Sequence, residues 1–435
     1  TNNWPDIAYI KTADVATYAP TGIFQPLMQY VNETDMPNFY KFWQKFPEMK
    51  KYLVDGELYV FPVIHRDETA NGYGPVIRMD LLEKHNIPVP QTWDELIDVL
   101  AQLKELYPSS IPYTGRKGTL NLFDTTAYML GSGHGKKGIY FDYDLDRFVF
   151  GPATQEFKEV LRFFNKAYEK KVLDPDFATS NAQQMEAKLS SGKAFFFNDN
   201  SGFGQTYTQS LRKIEGNENA RLQIIPIPEN SFGQRRALSY AKDLPGRFYA
   251  VNASSKNIKE VIKLVDWLYS PEGSDISNYG VEGLSFQYNA QGEPEFIKEY
   301  LEKFRDASPS AYYAVYSDLG ITKLNFSFYA TNTKTWFEIE KALGTWNEVS
   351  DEYWSIIGSD DAYNPPYIEP ALTVEESERV TDILQDLNTM LEQEYNKYIM
   401  GIEPISNWDK VIARCEALGA RELEDIYNKA DARYK

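Results

Sequence analysis

Residues 247–283 read RFYAVNASSKNIKEVIKLVDWLYSPEGSDISNYGVEG, and this stretch holds the clearest local structure in the chain. It opens with a predicted strand, because Phe248, Ala250 and the β-branched Val251 suit a buried position in a sheet. Small polar residues at 252–257 then end the strand and open a helix. The stretch therefore predicts a buried strand followed directly by a helix.

The helix after this strand is predicted to be amphipathic. Asn257 and Glu260 resemble a capping box at its start. Four apolar residues recur at helical spacing and define the predicted buried face: Val261, Leu264, Val265 and Leu268. Pro271 and Gly273 are predicted to end the helix.

The chain from residue 90 onward alternates helices with short apolar strands, which is typical of α/β folds. Thr92 and Glu95 form a predicted capping box at the start of a helix. Compact buried strands are predicted at 194–197 and 222–227. Near the C-terminus the chain is mainly helical, and Thr373 and Glu376 form the cap pair of a long helix that reaches Tyr398.

The opening stretch resembles the corresponding part of family 1 extracellular solute-binding proteins of ABC importers, closest to the lipoprotein-type branch associated with oligosaccharide uptake. Further segments resemble motifs of the same family in the same order along the chain. These are WPDI at 4–7 with GIFQPL at 22–27, DGELYVFP at 55–62, IRMDLL at 77–82 with PQTWDEL at 90–96, and the C-terminal YIMG at 398–401, WD at 408–409, IYNKA at 426–430 and RY at 433–434. The order and spacing of these motifs are more specific than any one of them.

The resemblance implies a two-lobed α/β fold of the periplasmic-binding-protein type (type II), in which hinge crossings join two lobes around a ligand cleft. The implied division is 1–79 for the first part of lobe 1, 80–245 for the first part of lobe 2, 246–310 for the second part of lobe 1, and 311–435 for the second part of lobe 2. The first crossing is predicted at Met79–Asp80. Relatives begin with a signal peptide, a lipidated cysteine and an opening strand and helix, so lobe 1 is expected to lack that opening unit here.

Composition narrows the classes of protein that remain. With 435 residues, of which 43% are hydrophobic, the chain is long enough for two or three domains with substantial cores. Its 45 Lys and Arg against 63 Asp and Glu give a net charge of −18, which repels phosphate backbones and disfavours a nucleic-acid partner. The single cysteine, Cys415, lies in a helical apolar pattern and is interpreted as a buried, inert thiol.

Motifs for catalysis or metal binding lack essential residues. The glycine-rich run at 131–137 has the wrong spacing for a phosphate loop and is interpreted as a turn. Asp142, Asp144 and Asp146 imitate a calcium loop, but Arg147 replaces its glycine, so a polar hairpin turn is predicted. The segment 107–112, where relatives often carry a calcium-type loop, has no ligand pattern, and no metal or cofactor is predicted.

The chain is rich in aromatic residues, with 31 Tyr, 25 Phe and 8 Trp. Sugars present apolar C–H faces and a rim of hydroxyl groups, so a sugar site combines flat rings with polar side chains. Loops with that mixture, the one after the apolar strand at 194–197 above all, supply the predicted ligand-binding residues. They are Arg66, Glu68, Tyr73, Asn198, Asn200, Phe203, Arg247, Tyr249, Glu282, Trp346, Tyr353 and Trp354.

Core packing is the alternative role for several aromatic residues. Trp93 and Trp267 lie on amphipathic helices and are interpreted as core residues. Trp346, Tyr353 and Trp354 fit a stacking platform and packing between C-terminal helices equally well.

The resemblance also implies a function and its partners. The chain is expected to be a monomeric, extracytoplasmic binding protein, lipid-anchored in its precursor, that delivers an oligosaccharide to an ABC permease without chemistry. Two alternatives stay open: an extracellular carbohydrate-active enzyme, whose catalytic carboxylates need not be close in sequence, and the same fold binding a peptide or another polar solute.

Overall fold

The computed structural model describes residues 4–66, 72–134, 138–238, 243–244, 246–307, 311–320, 327–344, 348–364 and 367–435. The strands in these ranges are β1 (Ile7–Ile10), β2 (Val60–Pro62), β3 (Ile64–His65), β4 (Tyr73–Arg78), β5 (Ile139–Asp142), β6 (Arg147–Phe150), β7 (Phe196–Asn200), β8 (Leu222–Ile224), β9 (Ala237–Leu238), β10 (Phe248–Val251), β11 (Phe286–Tyr288), β12 (Pro294–Phe296), β13 (Tyr329–Ala330) and β14 (Tyr363–Asn364). The α-helices are α1 (Thr12–Tyr18), α2 (Pro37–Lys45), α3 (Met79–Lys84), α4 (Trp93–Leu106), α5 (Gly118–Thr126), α6 (Phe157–Glu169), α7 (Ala182–Ser190), α8 (Phe203–Leu211), α9 (Ile258–Leu268), α10 (Pro271–Tyr279), α11 (Lys298–Leu301), α12 (Ala311–Asp318), α13 (Asn332–Ala342), α14 (Glu348–Ser359), α15 (Val374–Ile399), α16 (Trp408–Ala417) and α17 (Ala420–Ala432).

The first lobe is built on a three-stranded antiparallel sheet in the order β1, β10, β2. Ala250 pairs with Ala8 on one side, and Tyr249 pairs with Phe61 on the other, so β10 is the middle strand. All four residues of β10 are buried. The strand predicted from the opening stretch is therefore confirmed, and its apolar composition follows from its central place in the sheet.

The second lobe contains a second antiparallel sheet in the order β7, β4, β8. Ile77 of β4 pairs with Phe196, and Val76 pairs with Ile224. The C-terminal helices complete this lobe. Asn428 of α17 is hydrogen-bonded to the β5–β6 hairpin: its side chain accepts from Phe148 N at 2.8 Å and donates to Phe148 O at 2.9 Å.

The predicted first crossing, Met79–Asp80, comes directly after β4. β4 pairs with β7 and β8, so Met79–Asp80 adjoins the sheet of the second lobe, and the position of the crossing stays a prediction. The sequence of an apolar strand does not reveal which sheet the strand will join.

Residues 279–301 pack with 311–320 and 332–343 in a separate hydrophobic cluster, which we call the helical unit. It is tied to the first lobe where Ser274 Oγ and Asn278 Nδ2 donate to Tyr329 O, at 2.6 and 3.0 Å. The predicted domain boundary between residues 310 and 311 divides this cluster.

The α9–α10 corner differs in detail from the prediction. Asn257 does not cap α9, because its side chain donates instead to Asp6 Oδ2 at 3.3 Å. On α9, Ile262 is buried, whereas Leu264 is 41% exposed. Pro271 and Gly273 do not merely end α9: they form the first turn of α10, where Ser270 Oγ accepts from Gly273 N at 3.1 Å.

Other local predictions are confirmed. Both remaining capping boxes form, at Thr92 and at Thr373. Asp142 Oδ1 accepts from the backbone of residues 144 and 145 at 3.0 and 3.1 Å, which makes the predicted polar turn between β5 and β6. Trp93 and Cys415 are buried, and Trp267 is partly buried against the first-lobe core.

Among the helices of the described ranges, none combines the length and the apolar character that a membrane crossing needs.

Candidate functional site

The turn between β7 and α8 lies at the end of the buried second-lobe strand. Asn198 is only 4% exposed, and its Nδ2 donates to Thr125 O at 3.0 Å and to Thr126 Oγ1 at 2.8 Å. Its role in the described conformation is to hold α5 against the sheet. Asn200 follows at the strand end, where it pairs with Tyr73 and its Oδ1 accepts from Gly202 N at 3.0 Å. Tyr73 and Asn200 are thus neighbours in the sheet, and their contact with a ligand stays a prediction.

A buried ion pair stands beside this turn. Arg116 donates from Nε and Nη2 to the two carboxylate oxygens of Asp199, each at 2.7 Å, and Asn121 Nδ2 adds a contact of 3.3 Å. The Asp199 side chain is 2% exposed and that of Arg116 is 18% exposed. The hydrogen bonds from Arg116 to the Asp199 carboxylate raise the pKa of Arg116, so the guanidinium stays charged. Sequence analysis did not identify Arg116.

Two aromatic rings adjoin the ion pair. The Arg116 guanidinium lies 5.0 Å from the centre of the Phe203 ring, and Phe203 stacks on Tyr207 with centroids 5.8 Å apart. Phe203 and Tyr207 are one helical turn apart on α8, which places both rings on one side of that helix. Charged, amide and flat apolar groups therefore meet at the start of α8.

Helix α14 of the second lobe carries Tyr353 and Trp354, and both contact aromatic neighbours. Tyr353 is 4% exposed and packs with Val76 and Leu222 in a core cluster. Trp354 is partly buried, and its ring centre lies 4.3 Å from Phe337 and 6.2 Å from Trp336. The Trp336 and Phe337 side chains project from α13 of the helical unit. Trp354 therefore spans from the second lobe to the helical unit, while Tyr353 lies inside the second-lobe core.

We call the contact between α8, β8 and α14 on one side and α13 on the other the seam. A cavity of about 10 Å³ lies within it. The residues around it are Ser201, Gly202, Gln205, Leu222, Ile224, Trp336, Val349 and Tyr353. Gln205 is 7% exposed, and neither its amide nitrogen nor its amide oxygen has a hydrogen-bond partner among the described residues. Sequence analysis did not identify Gln205 or Trp336, because no local pattern shows that these residues of α8 and α13 meet at one cavity.

Arg66 and Glu282 lie in another neighbourhood, where α10 meets β11. Arg66 forms an ion pair with Asp275, and Tyr288 Oη donates to the same carboxylate at 3.0 Å. Glu282 is exposed nearby and acts electrostatically on Tyr288. This group sits on the first-lobe side, apart from the seam.

Arg247 directly precedes β10, and Tyr249 is the second residue of that strand. Tyr249 is 3% exposed, and its ring packs on Tyr9 and Phe328 at centroid distances of 5.8 and 4.6 Å. In this conformation it is a first-lobe core residue, because the middle strand of the sheet is covered on both faces. Arg247 is partly buried and acts electrostatically on Tyr312 of the helical unit.

Two predicted residues, Glu68 and Trp346, lie outside the described residues. For Asn198, Tyr249 and Tyr353 the structure shows packing roles in the described conformation, and ligand contact stays a prediction. Within the described part of the chain, no group of three or more His, Cys, Asp or Glu side chains is arranged to hold a metal ion.

The chain is similar to known proteins in sequence and in structure. The chain is 24% identical over 429 residues to the polygalacturonan/rhamnogalacturonan-binding protein YtcQ of Bacillus subtilis, covering 97% of this chain and 78% of that protein. It is 24% identical over 300 residues to the fructooligosaccharide ABC transporter substrate-binding protein FusA of Streptococcus pneumoniae, covering 63% of this chain and 52% of that protein. Among solved structures, the alginate-binding protein AlgQ2 without calcium superposes with a TM-score of 0.76 at 22% identity, covering 98% of this chain and 86% of that one.

The fold of these neighbours is the two-lobed solute-binding fold that the motifs implied. Residues 2–275 match the family described as "Bacterial extracellular solute-binding protein". The chain therefore belongs to the bacterial extracellular solute-binding proteins.

Proposed function

We propose that this chain is the extracytoplasmic substrate-binding component of an ABC importer and that it binds an oligosaccharide between its two lobes. The observation that carries this proposal is the seam, where aromatic rings and polar side chains of the second lobe face those of the helical unit in a member of the solute-binding family. Two relatives whose names specify polygalacturonan and fructooligosaccharide binding support the sugar class.

The groups at the seam suit a sugar. Phe203, Trp336 and Trp354 offer flat apolar faces for the C–H surface of a pyranose or furanose ring. Arg116 and Gln205 offer donors and an acceptor for its hydroxyl groups. A site with few placed polar groups among aromatic walls is the usual composition of a small-molecule pocket.

Closure of the two lobes provides the transport signal. Hinge closure is supported by two separate hydrophobic cores, one around β10 and one around β4, because a motion between them leaves the packing inside each core intact. A ligand that contacts both sides of the seam stabilises the closed state in proportion to its extra contacts there. The closed form is then the one that the permease recognises.

The remaining parts of the proposal concern partners and chemistry. The protein acts as a monomer and performs no reaction on the sugar. In its full-length precursor form it is a lipoprotein, and the lipid holds it at the extracytoplasmic surface of the cell. A carbohydrate-active enzyme and a peptide-binding protein with the same fold are the alternatives that the first experiment separates.

A thermal-shift screen against plant, mucin and storage oligosaccharides, with product analysis of each mixture, tests the proposal. Ligand at a hundredfold excess over its Kd adds about 2.7 kcal/mol to the free energy of unfolding. A shift with intact sugar is the expected result. A shift accompanied by cleavage would identify an enzyme, and no shift with any glycan would move the assignment to a peptide or another solute.

A matched pair of tryptophan variants locates the site. Trp354→Leu is expected to weaken sugar binding by about tenfold, because an aromatic contact with the sugar at the seam is lost. Trp267→Leu is the control, since Trp267 lies on the first-lobe helix α9 and donates to Glu272 Oε2 at 3.1 Å, away from the seam. Equal losses in both variants would contradict binding at the seam.

A further inference from the structure

Gln205 occupies an unusual position on α8. Gly204 lets this helix approach the sheet closely, since a Cβ atom at Gly204 would lie 2.8 Å from Leu222 O and 3.0 Å from Val76 Cγ1. The next residue is thereby held at the seam with 7% of its surface exposed. A buried primary amide without partners loses its bonds to water and gains none in return, so natural proteins rarely retain one without a reason.

A small cavity adjoins Gln205. It measures about 10 Å³, which is room for about one water molecule or one hydroxyl group. Ser201 and Gln205 contribute polar atoms, and Ser201 Oγ is already bonded to Gly72 O at 2.6 Å. Trp336 of the helical unit forms the opposite wall. The cavity is therefore lined by polar side chains of the second lobe, Gln205 among them, and by Trp336 from the other half of the seam.

We infer that Gln205 is a ligand-binding residue whose amide receives two hydroxyl groups of the sugar when the seam opens to admit it. The amide oxygen accepts from one hydroxyl and the amide nitrogen donates to its neighbour, a pairing that adjacent hydroxyls on one sugar ring provide. The Trp336 ring covers the apolar face of the same sugar ring. This inference rests on the proposed function and specifies which side chain reads the sugar's hydroxyls.

Gln223 provides a matched control for this inference. It lies on β8, is 1% exposed, and also has both amide atoms without a partner among the described residues. It is not among the residues that line the cavity. Gln205→Met and Gln223→Met each replace a buried amide by an apolar chain of similar length.

The experiment measures melting temperature and sugar affinity for both variants and the unchanged protein, with a galacturonate trimer, an alginate trimer and kestose as probes in calorimetric titrations. Both variants are expected to raise the melting temperature of the free protein, because an unbonded amide is removed. Only Gln205→Met is expected to weaken binding, by roughly 10- to 100-fold, because the sugar hydroxyls lose their partner.

Two results would overturn the inference while the proposed function stands. If Gln205→Met binds the sugar as tightly as the unchanged protein, the amide serves only a trapped water. If Gln205→Met lowers the melting temperature, the amide has a structural partner. If the unchanged protein binds none of the probes and no glycan of the wider screen, the proposed function fails and this inference falls with it.

Discussion

Replacing Arg116 with methionine removes the cation from a buried ion pair and leaves the carboxylate of Asp199 in place. That carboxylate is 2% exposed, and two of its contacts, at 2.7 Å each, come from the Arg116 guanidinium. The Asn121 amide at 3.3 Å and the Asn200 backbone N–H at 2.6 Å remain, but neither carries a charge. Leaving one buried charge unpaired costs about 3 to 5 kcal/mol, so Arg116→Met is expected to lower the free energy of unfolding by about 3 kcal/mol or more.

An exposed pair with the same geometry supplies the control. Arg379 donates to both oxygens of Glu422 at 2.7 and 2.6 Å, but these side chains are 48% and 46% exposed. Water solvates either partner after the other is removed, so Arg379→Met is expected to cost far less free energy of unfolding than Arg116→Met. The comparison isolates burial, because both pairs are bidentate arginine–carboxylate contacts.

The double variant Arg116→Met with Asp199→Asn completes the test. It removes both charges, so it is expected to be less destabilised than Arg116→Met alone, and the difference measures the unpaired carboxylate. Urea unfolding followed by tryptophan fluorescence and by far-UV circular dichroism gives the free energies where the two probes coincide. The reasoning is refuted if Arg116→Met costs no more than Arg379→Met.

Three further predictions test other parts of the fold. Gly273→Ala places a Cβ atom 2.1 Å from a backbone oxygen of the preceding helix, so this variant is expected to lower the melting temperature sharply. Gly358→Ala is the control: its Cβ atom has open space, so the variant is expected to be neutral or slightly stabilising. Equal melting temperatures for the two variants would contradict the close packing at Gly273. Burial raises the pKa of Glu338 to about 7 from 4.5, so its contribution to stability is fully present below pH 4.5 and is lost as pH rises towards 7. Between pH 5 and pH 8 the free energy of unfolding, measured with urea, is expected to fall by roughly 2 to 3 kcal/mol because of this group. The fall should be smaller in Glu338→Gln and unchanged in the control Glu378→Gln, whose side chain is exposed. Burial raises the pKa of Cys415 to about 12, so Ellman's reagent at pH 8 should find no reactive thiol in the folded protein and one per chain in guanidinium; a rapid reaction in the folded state would contradict this.

Local patterns in the sequence predicted local structure well. Thr92 and Thr373 cap their helices as predicted, because a capping box needs only residues three positions apart. Asn257 failed as a cap because Asp6, from the far end of the chain, competes for its side chain. A pattern within ten residues does not contain that competitor.

The candidate site was harder to predict, because distant segments form it. Arg116 reaches Asp199 only because the backbone at Tyr113 runs beside Phe196 of β7, a neighbour relation that no short motif encodes. Tyr353 and Trp354 are adjacent in sequence but differ in environment, since consecutive helical residues point about 100° apart. Composition could indicate an aromatic site but could not distinguish the core ring from the ring at the seam.

The place of β10 in the first-lobe sheet has a consequence for the order in which the chain can fold. Ile7 pairs with Val251, and β2 contacts β1 only through β10, so the first-lobe sheet has no middle strand until the whole first part of the second lobe has been synthesised. The second lobe in turn is incomplete until α17 has been synthesised, because Asn428 of that helix is hydrogen-bonded to Phe148 of β6. Neither lobe is an independent folding unit during synthesis, and the many long-range pairings predict slow, late acquisition of structure. A truncation anywhere between 80 and 247 would therefore leave the first lobe open at its centre.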